Sequence, residues 1–148
     1  MELANRRCQP PRYSLSSSKP TGKPPLVRSP RRVTGVTDPR AALVELKNRF
    51  GCSLVGMTIG AAGAVVYHEG GFIESPGFEA PGACRDTTGA GDAFHAGFLY
   101  GFLTGEDIEA SMKLGNAVAA IKCSALGART ALPNKFELDK FLRNQSVI

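Results

Sequence analysis

The sequence predicts an α/β fold, and three observations carry that prediction. A helix-start signal at Asp38-Pro39 is followed by short apolar runs separated by glycines, giving the order helix, strand, hairpin. A Gly-Ala-Gly turn at Gly89 to Gly91 runs directly into a helical pattern. Two further helical patterns follow it, so the chain reads as the edge of a sheet covered by helices.

The first helix begins with Asp38 as N-cap and Pro39 at the first helical position; Ala42, Leu43, Leu46 and Phe50 follow at helical spacing until Gly51 stops it. Leu54 to Ile59 is a short apolar run that reads as a strand, and Gly60 to Gly63 is a turn. Ala64 to Tyr67 is a second strand, and Gly70-Gly71 turns the chain into a third at Phe72 to Glu74. His68, before Glu69-Gly70-Gly71, reads as a hairpin corner. Glu79 to Arg85, with Pro81 and Gly82, is a loop or irregular strand. Helical patterns then cover about Ala90 to Thr104, Asp107 to Ser124 and Lys135 to Arg143. The first places Phe94, Phe98, Leu99 and Phe102 on one broad face, with Gly97 and Gly101 allowing a close neighbour. Gly105 ends it, and Glu106, Asp107 and Glu109 suit the start of the next.

Residues 1–32 differ from the rest. They hold eight Lys/Arg against the single acid Glu2, a local charge of +7, and six of the ten prolines. The remainder holds ten basic and twelve acidic residues, so the overall +5 comes from the tail and says nothing about the folded part. The prolines and the missing apolar period predict a disordered basic tail over residues 1–35, with the folded part at 36–148. No nucleic-acid partner is expected, because only Tyr13 interleaves with the charges. No apolar run approaches the ~18 residues of a membrane span. Cys8, Cys52, Cys84 and Cys123 form no CxxC pair, which favours reduced thiols in a cytoplasmic protein; Cys84 and Cys123 read as buried small side chains.

The chemistry concentrates at Asp86-Thr-Thr-Gly-Ala-Gly-Asp92. A glycine turn opening a helix aims backbone N–H groups and the positive end of the helix dipole at one point, which is an anion site without a side-chain cation. A carboxylate there repels phosphate unless it has a task, and in phosphoryl transfer the task is to take the proton of the attacking hydroxyl. Taken alone, Gly-x-Gly-Asp before a helix is often just a capped turn. A P-loop is excluded because no Gly-Lys-Ser/Thr follows, and the dinucleotide fingerprint Gly-x-Gly-x-x-Gly is absent. His95 reads as packing or solvent-facing.

The longer string Asp86-Thr-Thr-Gly-Ala-Gly-Asp-Ala-Phe-His-Ala-Gly-Phe-Leu resembles the C-terminal signature of the PfkB (ribokinase-like) carbohydrate kinases. Thr58-Ile-Gly-Ala-Ala-Gly63 resembles that family's nucleotide turn, and Gly127-Ala128-Arg129 with Pro133 its closing loop. The resemblance runs from Val36 to Leu142 and implies the C-terminal portion of a Rossmann-type α/β/α sandwich. It makes Asp92 the catalytic base and gives Gly89, Ala90 and Gly91 backbone contacts to the phosphates of Mg-ATP. Thr58, Gly60 and Gly63 would line the nucleotide and Asn116 would border its base. It also implies a monovalent cation, potassium, beside the anion hole, at Asp86, Thr88, Lys122, Ala125, Gly127 and Ala131. The donors there would be backbone carbonyls apart from the Asp86 carboxylate.

The acceptor implied is a sugar or nucleoside, and the full-length family implies a homodimer. Members are roughly twice this length, and the upstream sugar-binding residues, the β lid, the Gly-Gly motif and the magnesium-associated Asn-x-x-Glu motif have no counterpart here. The expectation is a shortened sugar kinase with little activity alone, or a nucleotide-binding remnant without catalysis.

Overall fold

The computed structural model describes residues 33–145. The basic tail expected at 1–35 lies, up to residue 32, outside them, as do residues 146–148. Helix α1 spans Pro39–Phe50, and the side chain of Asp38 accepts the Ala41 N–H at 2.7 Å, the capping role its position predicts. Gly51 ends the helix with φ 64°. Ala42, Leu43 and Leu46 are buried, whereas Phe50, the last of the expected apolar series, is exposed.

Strands β1 (Leu54–Thr58), β2 (Gly63–His68) and β3 (Gly71–Pro76) form an antiparallel sheet in chain order. Leu54 pairs with His68 at one end of β1 and Thr58 with Ala64 at the other. Ile59, expected inside β1, falls just outside it and leads into a short 3₁₀ turn at Gly60–Ala62. β2 and β3 are joined through Glu69 and Gly70, both at positive φ (48° and 85°), as a two-residue turn matching the twist of its strands requires.

Alternation along β2 makes the layers. Ala64 and Val66 pack with Phe94 and Met112 on one face. On the other, α1 lies across the sheet, with the Lys47 ammonium 5.1 Å from the Tyr67 ring centre and the Arg40 guanidinium 5.3 Å from that of Phe72. The sheet is thus covered on both faces, the predicted α/β/α arrangement.

Helices α2 (Ala90–Thr104) and α3 (Ile108–Lys122) form a hairpin whose backbones touch. A Cβ placed on Gly97 would lie 2.8 Å from Leu114 O and 2.9 Å from Gly115 Cα, so this crossing demands glycine. Phe94, Phe98 and Phe102 stack in steps of 6.2 Å, but only Phe94 is buried. Phe102 is 45% exposed, a departure from the expected core face, because α3 covers the N-terminal part of that stripe. Asp107 caps α3 by accepting the Ala110 N–H at 2.7 Å. Helix α4 (Lys135–Gln145) starts with a reciprocal cap between Asn134 and Glu137, and its Leu138 joins Ala93, Ala117 and Val118 in a second core cluster.

Candidate active site

The segment from Gly77 to Gly89 carries no regular structure, so its position depends on what it is tied to. The tie is the end of α3. The amides of Arg85 and Asp86 donate to Cys123 O at 2.8 and 3.3 Å. The Asp86 carboxylate accepts the Thr88 N–H at 2.8 Å and the Gly127 N–H at 2.7 Å, stapling the turn to the loop beyond α3. The Thr88 amide and hydroxyl, then the Gly127 amide, stabilise its charged form and hold the carboxyl at about 2, with the Lys122 ammonium adding to the effect.

Gly89 follows at φ 80°, and a Cβ there would stand 3.0 Å from both Cβ and O of Ala128. Conformation and crowding therefore both select glycine. The chain passes from Gly89 into α2, whose first backbone bond runs from the Ala93 N–H to Gly89 O. The amides of Gly91 and Asp92 consequently lack an intrahelical acceptor and point out of the helix start, as the first amides of a helix do. Asp92, the third residue of α2, is exposed.

Thr87, Ala90 and Gly91 border a cavity of about 650 Å³, a size typical of small-molecule pockets. Thr58, Gly60, Gly63, Ala90, Gly91 and Asn116 all line it, so residues from β1, the 3₁₀ turn, β2, α2 and α3 converge. Gly89 and Asp92 lie outside this lining. Asn116 has a second role: its buried amide donates to Ser75 O, Ser75 Oγ and Pro76 O, each at 3.0 Å, fixing the end of β3 to α3. Phe78 also lines the cavity and meets Phe141 edge to face at 5.6 Å. Nothing in its local spacing marks it out, because its place is set by α4.

Cys84 and Cys123 both face the cavity. Cys123 is buried as expected, and burial pushes its thiol up, away from the reactive thiolate. Cys84 is exposed instead, since it stands in the irregular segment rather than on a packed element. His95 is exposed and lies edge-on to Phe94.

The expected potassium positions divide. Gly127 and Lys122 are bonded to Asp86, but the Lys122 contact is through the side chain: its Nζ donates to Asp86 O at 2.6 Å and stands 4.0 Å from Asp86 Oδ2. Ala125 and Ala131 are half-buried in the following loop. Of the expected donors, the Asp86 carboxylate is the one that the Lys122 ammonium approaches.

The sequence profile of pfkB family carbohydrate kinases matches residues 30–135. An uncharacterised sugar kinase of Archaeoglobus fulgidus is 60% identical over 52 residues, covering 35% of this chain and 21% of its own. Among solved structures, the aminoimidazole riboside kinase of Salmonella enterica, complexed with its riboside and an ATP analogue, superposes with a TM-score of 0.68 at 30% identity. The match covers 76% of this chain and 38% of that one. A double-mutant fructokinase of Vibrio cholerae holding fructose, ADP and a potassium ion gives 0.67 at 33% identity, over 76% and 37% of the two chains. The chain spans about a fifth to a third of the length of the curated relatives it matches. With a profile covering most of its residues and a fold shared with ribokinase-type enzymes, this chain belongs to the pfkB family of carbohydrate kinases.

Proposed function

We propose that the chain is the nucleotide side of an ATP-dependent sugar or nucleoside kinase. The observation that supports this most directly is the Gly89 turn, after which Gly91, with its free amide, lines a cavity shared with the Thr58 to Gly63 turn. In this reading adenosine would lie among that turn, Asn116 and the Phe78 segment, all of which line the cavity, with the phosphates at the start of α2, where the helix dipole and unpaired amides stabilise negative charge.

In this reading Asp92 takes the proton of the acceptor hydroxyl as its oxygen attacks the γ-phosphorus. The bond from that phosphorus to the β-phosphate bridging oxygen breaks, giving a phosphorylated sugar and ADP. The metal would be Mg²⁺ carried on the ATP phosphates, whose charge it neutralises. Among the described residues no cluster of three His, Cys, Asp or Glu forms a cage of its own. The exposed position of Asp92 suits a base that must meet an acceptor arriving from outside the cavity.

The acceptor is read as a small sugar or nucleoside, with no nucleic-acid or membrane partner, in the cytoplasm, and a homodimer is read only for the full-length family. No described helix is long and apolar enough to cross a membrane. On its own the chain is expected to bind ATP and to turn over far below the ~1–100 s⁻¹ of kinases. Calorimetric titration of ATP, paired with an assay of ADP release with and without sugars, checks this. Sugar-dependent release at kinase rates would refute the low-activity part, and absence of ATP binding would refute the whole. Asp92→Asn is expected to leave ATP affinity nearly unchanged and to lower any sugar-dependent turnover by about 10²- to 10⁴-fold; unaltered turnover would remove Asp92 from the role. A nucleotide-binding remnant without catalysis is the competing reading, and ATP binding with no sugar-dependent ADP release would favour it.

A further inference from the structure

The resemblance to this family places a potassium ion beside Asp86, yet a protein ammonium already reaches that place. Lys122 is the last residue of α3, and its side chain is completely buried. Its charge is directed at one residue, through Asp86 O at 2.6 Å and Asp86 Oδ2 at 4.0 Å. Asp86 is also the residue whose carboxylate the expected cation would need most. The same carboxylate closes the turn by accepting the Thr88 and Gly127 amides.

A buried lysine is rarely tolerated unless paired, so this one is held by design of the turn. It neutralises Asp86, fixes its carbonyl and sits at the end of α3, where the helix dipole favours positive charge. A potassium ion about 4 Å from the ammonium would meet like-charge repulsion that lowers its affinity by about a thousandfold at an effective dielectric of ~20.

We propose that the Lys122 ammonium replaces the monovalent cation in this chain, ordering the Asp86 to Gly89 turn without potassium. This rests on reading Asp86 to Asp92 as the phosphate-binding turn. The consequence is that stability and ATP affinity do not distinguish potassium from a cation too large to enter.

The test uses the whole 148-residue chain. Thermal unfolding and ATP titration are followed in potassium, sodium and choline chloride at matched ionic strength. The wild type is expected to give the same melting temperature and the same ATP affinity in all three. Lys122→Ala opens a cation-sized gap beside Asp86, and is expected to melt lower in choline and to recover saturably in potassium. A saturable, potassium-specific rise in the wild-type melting temperature overturns the proposal, and this arm decides even if the variant fails to fold. A folded Lys122→Ala equally destabilised in all three salts also overturns it, reducing Lys122 to a packing residue. Absence of ATP binding in every salt would refute the nucleotide reading, while the wild-type melting comparison would still decide the role of Lys122.

Discussion

Asp86 shows how one side chain can organise a site without touching the chemistry. Its carboxylate accepts two amides that lie 39 residues apart along the chain, from Thr88 and Gly127. These bonds favour the charged form, so the folded state holds the carboxyl at about 2 against an ordinary 3.8. Stability from this source is therefore complete above about pH 4 and is lost as pH falls towards 2. Urea unfolding across that range is expected to show a falling midpoint in the wild type. Asp86→Asn should be less stable at neutral pH and lose part of the acid slope; an unchanged slope would show that Asp86 carries none of it. The turn at Gly89 and the helix start that carries Asp92 were legible in the sequence because both are local, whereas the bonds of Asp86 to Thr88 and Gly127 were not read from it. The Lys122 side chain was not, because its partner stands 36 residues upstream and only the docking of the turn onto α3 brings them together.

At the scale of elements, the α2–α3 hairpin decides how close the walls of the cavity stand. Gly97→Ala gains helix propensity of about 1 kcal/mol, but its Cβ would press on the backbone at Leu114 and Gly115, which cannot rotate away. Overpacking of this kind costs about 1–3 kcal/mol, so net destabilisation is expected. One turn along the interface, the Ser111 hydroxyl is buried without a hydrogen-bond partner among the described residues. Ser111→Ala should therefore raise stability, by about 1 kcal/mol. Guanidinium titration of both variants checks the opposite signs, and a stabilising Gly97→Ala would mean that the two helices can separate. Helix starts at Asp38 and Asp107 follow directly from capping residues. The outward position of Phe102 does not, since helical spacing marks an apolar stripe but not where its neighbour stops.

Across the whole described structure, the sheet keeps two open edges and several large apolar side chains face outward. Within it, β1 pairs only with β2 and β3 only with β2, and Leu99, Leu103, Leu126 and Phe136 are exposed. Those open edges and apolar side chains fit a chain that spans about a third or less of its curated relatives. The α/β class was legible because alternation and helical spacing report burial face by face. The cavity was only partly so, because Phe78 and Cys84 enter it through an irregular segment whose course depends on α3 and α4.

The Glu69-Gly70 turn carries a kinetic consequence. It joins β2 to β3 with a two-residue loop, and hairpins of this kind close in about 1–10 μs. The bonds that tie the sheet and the turn to α3 and the loop beyond it, from Asn116 to Ser75 and from Gly127 to Asp86, each span 41 residues and must wait for the larger loop entropy to be overcome. The hairpin is thus expected to exist before the pocket it walls. In native-state hydrogen exchange the Thr88 and Gly127 amides should open at lower free energy than those of Val65 and Val66, and equal protection would mean that the turn and the sheet unfold as one unit.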